Sequence, residues 1–182
     1  MKIITLILGL SYFMMANALF MMANALGAEN AQTGFFKQLS NLCGQAFAGR
    51  VVRDNTDDKR FRDKVIILHI RDCSTREIRM PMHVGDDPSR TFILTRNGGN
   101  IKLEHDHRHD DGHPDRVSMY GGTTQDAGTE WRQDFPINDF SRRLFMENDL
   151  QVSLTNIWTI SIRAGQSISY QLRRPAMKGK PE

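Results

Sequence analysis

Four of the six histidines fall within twelve residues, Glu104-His105-Asp106-His107-Arg108-His109-Asp110-Asp111-Gly112-His113-Pro114-Asp115. Neutral imidazoles mixed with carboxylates are ligands for Zn²⁺, Cu²⁺ or Fe²⁺, and an imidazole is also the side chain best suited to move protons near neutral pH. A strand starting at Ile101 puts Ile101, Leu103, His105, His107 and His109 on one face, with Lys102, Glu104, Asp106 and Arg108 on the other. Histidines two apart on a strand are roughly 7 Å apart at Cα. His105 and His107 can then share one transition metal such as zinc if His109, Asp111 or His113 supplies a third ligand. His69 and His83 fall on the opposite faces of their own strands and are poor third ligands. The competing reading is a hairpin with a solvated tip at Asp110-Asp111-Gly112, one or two imidazoles hydrogen-bonded inside the sheet, and Asp106 paired to an arginine.

Three further residues are candidate ligand contacts. Asn156 interrupts an apolar face, and a buried amide needs partners, so it either braces the sheet or lines a cavity with Trp158, Tyr170 and His105. Cys43 and Cys73 stand 30 positions apart with no Cys-x-x-Cys pattern; an oxidising compartment allows them one disulfide, and the alternative is two buried thiols. Tyr120-Gly121-Gly122-Thr123-Thr124 lacks the Gly-Lys-Ser/Thr of a phosphate cradle and reads as a turn or bulge. Ser141 and Ser153 lie outside any Gly-x-Ser-x-Gly elbow.

The elements that must position these groups are short. Phe35, Leu39, Leu42 and Ala46 predict an amphipathic helix over 35–47. The period then changes to two: Ile66, Leu68 and Ile70, then Ile78, Met80, Met82 and Val84, then Phe92 and Leu94 before the turn Asn97-Gly98-Gly99-Asn100. A long strand is expected over 151–163 with Val152, Leu154, Asn156, Trp158, Ile160 and Ile162 inward. Ile168, Tyr170 and Leu172 are the inward positions of a last strand. A second short helix is expected near 138–146, capped by Asn138 or Asp139. About nine strands joined by hairpin-length turns leave no room for crossover helices, so the fold class is all-β and mostly antiparallel. Two architectures remain open, an up-and-down barrel in the manner of lipocalins and a two-sheet sandwich.

The 182-residue, 20.8 kDa chain carries 40% hydrophobic and 25% charged residues, ordinary for a globular domain. Lys2 precedes an uncharged apolar run, and no further charge occurs before Glu29, the order of a secretory signal over 1–28. Phe13 to Leu19 recurs as Phe20 to Leu26, which repeats the small-residue cleavage region. The remaining reading is 29–175 as one β domain, with no stable membrane span after signal removal, and 176–182 as a flexible basic tail. The formal charge of +3 falls to +2 without Lys2, too little and too interspersed for nucleic acid. These features place the protein in the periplasm or outside the cell.

Two resemblances follow. Gly99, His105, His107 and Asp111 approximate the first cupin motif, with Asp where that motif has Glu; no histidine follows His113, so the second motif's ligand is missing, which argues against a cupin-type enzyme. Leu42-Cys43-Gly44, Arg71-Asp72-Cys73-Ser74, His83-Val84-Gly85, Ser89-Arg90-Thr91, the histidine block, Met119-Tyr120-Gly121-Gly122 and Thr155-Asn156-Ile157-Trp158 resemble the recurring blocks of a family of uncharacterised small bacterial secreted proteins. That resemblance implies export and brings no activity. The expected function is a non-catalytic binding module for a small molecule or an envelope protein. The alternatives are a transition-metal-binding protein and, below it, a metal-dependent enzyme.

Overall fold

The computed structural model describes residues 30–55 and 60–176. The segment read as a signal and residues 177–182 lie outside them. Helix α1 (Ala31–Ser40) buries Phe35, Phe36 and Leu39. The expected continuation to residue 47 does not form: Gly44 takes φ +83, a left-handed turn that a right-handed helix cannot contain, and the chain enters strand β1 (Ala46–Gly49).

Strands β2 (Ile66–His69), β3 (Asp72–Cys73), β4 (Glu77–Val84), β5 (Asp87–Asn97), β6 (Asn100–His107) and β7 (Tyr120–Thr123) follow, then β8 (Arg132–Pro136), helix α2 (Asp139–Glu147), β9 (Ile157–Arg163) and β10 (Ser167–Arg173). Every ladder is antiparallel. The larger sheet runs β1-β2-β4-β5-β6-β7 with β3 also on β4, and the smaller runs β10-β9-β8. The sheets do not close into a barrel, so of the two expected architectures the sandwich is the one formed.

The period-two reading of β4 and β6 matches burial. Ile78, Met80, Met82 and Val84 are buried on β4, and Ile101, Leu103 and His105 on β6. Trp158, Ile160 and Ile162 of β9 face them across the sandwich and complete one core. The expected strand over 151–163 is halved. Val152 is 68% exposed and lies in a 3-10 turn, Gln151–Ser153. The N–H groups of Ser153, Leu154 and Asn156 donate to the carbonyls of Leu150, Gln151 and Ser153. Those local bonds withdraw the segment from any ladder. Helix α2 begins where expected: Asn138 caps it by accepting from the Ser141 N–H, and Phe145 points into the core. Phe140 of the same helix is exposed.

Glycine sets how closely β7 approaches β6 on one side and the end of β8 on the other. A Cβ at Gly121 would run into the Leu103 carbonyl, and one at Gly122 into the carbonyls of Phe135 and Pro136. An isolated bridge joins Gly122 to Ile137. The β7 edge is therefore covered by the chain leaving β8.

Candidate functional site

Register places the histidines. On β6, His105 stands opposite Phe92 of β5 and Tyr120 of β7, and His107 opposite Arg90. Met119, held at φ 60, turns the chain so that Tyr120 enters β7 at that position; a methionine there carries the steric cost of a left-handed backbone.

His105 is 2% exposed. Its ring stacks on Tyr120 at 4.8 Å and packs against Phe92, Trp158 and Tyr170. Its Nδ1 is 3.0 Å from the Tyr120 carbonyl oxygen and its Nε2 2.8 Å from the Tyr170 hydroxyl. A carbonyl only accepts, so Nδ1 carries the proton and Nε2 accepts from Tyr170. Burial pushes its pKa down to about 3, with the Tyr120 bond opposing and His107 adding to the fall. Burial likewise holds the Tyr170 hydroxyl well above its ordinary range and lifts that of Tyr120 to about 12. Neutral partners thus occupy both ring nitrogens of His105, and neither is open to a metal or a substrate in this arrangement.

His107 is half-buried, with Nε2 3.1 Å from the Tyr120 hydroxyl. Burial and then the Arg90 guanidinium lower its pKa, while Asp115, Asp106 and Asp87 pull the other way. Arg90 lies over the Phe61 ring at 5.4 Å and pairs with Asp87. A hydroxyl bond from Ser89 is the largest of the causes that hold the Asp87 carboxyl below its usual range. Beyond His107 opens a basin of about 570 Å³ lined by Ser89, His107, Arg108, His109, Asp110, Asp111 and Asp115.

His109 and His113 flank the hairpin tip: the His109 N–H donates to the His113 carbonyl. His113 Nδ1 lies 3.2 Å from Asp111 Oδ2, and His109 Nε2 lies 4.0 Å from Asp115 Oδ2. Donation from the His113 backbone N–H, then from its ring, lowers the Asp111 pKa. Asp106 departs from the expected solvent-facing position. It is 6% exposed because Arg108 and Ser118 cap its carboxylate at 2.9 and 3.2 Å.

The five residues singled out as metal ligands therefore divide. His107, His109 and Asp111 border the basin, His113 sits beside Asp111 at the tip, and His105 is enclosed between the sheets. Among the described residues no three His, Cys, Asp or Glu side chains converge on a point that would hold a metal ion. Of the other candidates, two are brought against His105, Tyr170 through a hydrogen bond as well. Trp158 and Tyr170 contact its ring, and Asn156, buried, accepts from Arg174 Nε at 3.0 Å. Cys43 and Cys73 are joined in a disulfide.

Sequence reasoning passed over Tyr120, Ser89, Arg90 and Asp115. The Tyr120-Gly121-Gly122 run carried one signal: paired glycines in a strand mark a close backbone approach, and the side chain beside them faces whatever approaches. Ser89 and Arg90 carried none, because only the β5–β6 register puts them next to His107. Among the described residues no helix is long and apolar enough to cross a membrane. Comparison of the chain with protein-family models, curated proteins and solved structures returns no match.

Proposed function

We propose that this chain is an exported, non-catalytic binding module that takes up a small polar, positively charged ligand in the basin at the end of β5 and β6. The observation that carries the reading is the basin itself: about 570 Å³, with all seven lining residues polar or charged. That size falls within the range of small-molecule sites. Asp110, Asp111 and Asp115 supply three carboxylates, and the one lining guanidinium, Arg108, is turned toward Asp106 and the Gly112 carbonyl. A burial-neutralised His107 adds no positive charge. The field in the basin is then negative and draws cations. The Ser89 backbone N–H donates to Asp87 at 2.9 Å, which fixes the β5 side of the rim. The Cys43–Cys73 disulfide supports export to the periplasm or the medium.

The test is a titration of the full chain with putrescine, followed by amide NMR. Shifts clustered on Ser89, His107, His109 and Asp115, weakened by Asp110→Asn with Asp111→Asn, are expected. If saturating putrescine leaves those amides unmoved, the cation-binding reading is lost. A second reading is zinc held by His107 and His109 with Asp111 or Asp115, which border one basin but, among the described residues, do not converge on a point in this arrangement, so that binding requires these side chains to move. Zinc chloride in the same titration decides it: about one equivalent bound, and lost in His107→Ala with His109→Ala, would replace the organic cation by a metal.

A further inference from the structure

We infer that β10 is a self-pairing edge, through which two copies of this chain join the smaller sheet of each into one continuous sheet; this goes beyond the basin and does not depend on it. A free strand edge is a template for pairing with another chain, and folds normally blunt it. The other strand edges here are blunted: β3, off the main path of the larger sheet, has only two residues. The β7 edge is covered by the chain leaving β8 through the Gly122–Ile137 bridge, which occupies the β8 end as well. β1 has four residues and runs on into Arg50 and Arg53.

β10 is different. It has seven residues, contains neither proline nor lysine, and pairs only with β9. Among the described residues none of Ser167 to Arg173 has a backbone hydrogen bond outside that pairing. The cations that could guard it are turned back onto their own sheet: Arg173 pairs with Asp134, and Arg174 donates to Asn156. On the inner face, Tyr170 and Leu172 remain 38% and 39% exposed although their strand mates on β9 are buried, because nothing lies beyond the edge to cover them.

The occupant follows from the strand's own order. Antiparallel pairing of β10 with a second β10, centred on Tyr170 opposite Tyr170, uses all seven residues. Ser167 then faces Arg173, Ile168 faces Leu172 and Ser169 faces Gln171. Apolar meets apolar, polar meets polar, and no like charges are opposed. Shifting the register by two shortens the ladder, and shifting by one sends apolar residues to the polar face. A two-fold pair of this kind closes on itself, as most homodimers do.

The experiment is sedimentation of the purified full chain across a concentration series. The wild type should move from one chain to two. Ser169→Lys with Gln171→Lys, both on the exposed face, opposes like charges twice across the two-fold and should raise the dissociation constant about tenfold or more. Ser169→Lys with Gln171→Glu alters the same positions but opposes unlike charges, and should restore the dimer. A wild type that stays monomeric at the highest concentration overturns the inference. So does a dimer that responds equally to both variants, which would place the contact elsewhere.

Discussion

The Tyr170 hydroxyl donates to Nε2 of His105 at 2.8 Å, across 65 residues of sequence, and ties the outermost strand of the smaller sheet to β6, the strand next to the β7 edge of the larger one. Tyr170→Phe keeps the ring stacked on Phe92 and removes only the donor. It leaves a buried imidazole nitrogen without a partner, which costs about 1–3 kcal/mol. Thermal unfolding should fall by a few degrees per kcal/mol in a domain of this size. An unchanged midpoint would mean that water satisfies Nε2, so that the hydroxyl does not hold the sheets together.

Acid should weaken the fold through the same histidine. His105 is held neutral in the native state, with its pKa lowered from 6.5 to about 3. Between those values the unfolded chain binds a proton that the folded chain refuses. Stability is therefore full above about 6.5 and is lost as the pH falls toward 3. Urea midpoints measured from pH 7 down to pH 4 should decline, and His105→Gln should flatten that part of the profile. Asp87, whose pKa is lowered in the fold, adds an acid loss only below the ordinary carboxylate range, so the two contributions separate on the pH axis.

Gly121→Ala should be among the most damaging single changes available. The new methyl group would meet the Leu103 carbonyl oxygen, which is backbone and cannot swing aside. Poor recovery of folded protein, or a midpoint lowered by well over 10 °C, is expected, while Gly49→Ala, with open space around its Cβ position, should unfold close to the wild type. Circular dichroism melts of the pair suffice.

Reduction should loosen the N-terminal side. The Cys43–Cys73 bond closes a loop across 30 positions, and a cross-link of that span contributes about 3–4 kcal/mol through the unfolded chain. Cys43→Ser with Cys73→Ser should show that loss in denaturant titrations, and dithiothreitol should reproduce it in the wild type but not in the variant. Equal stability with and without the bond would assign the hold on α1 to Phe35, Phe36 and Leu39 alone.

What the order of residues determined is what depends on near neighbours. Side chains alternate across a strand whatever the strand later packs against, so the inward faces of β4, β6 and β9, the antiparallel class and the Asn138 cap were legible. So was the placement of His105 with the apolar residues. The same local rule failed over 151–156, where turn hydrogen bonds compete with the ladder over a few residues and the apolar pattern looks alike for both. Tertiary structure alone decided the rest. Register fixed Phe92, His105 and Tyr120 as neighbours, sheet packing brought Tyr170 and Trp158 onto the same imidazole, and Ser118 with Arg108 drew Asp106 out of water. Those relations join residues far apart in the chain, and no spacing within a single strand encodes which distant strand will lie beside it. The histidine block was thus visible as chemistry from the start; its division into one enclosed imidazole, His105, and two that border a basin, His107 and His109, came from the two sheets closing over His105 and stopping short of His107.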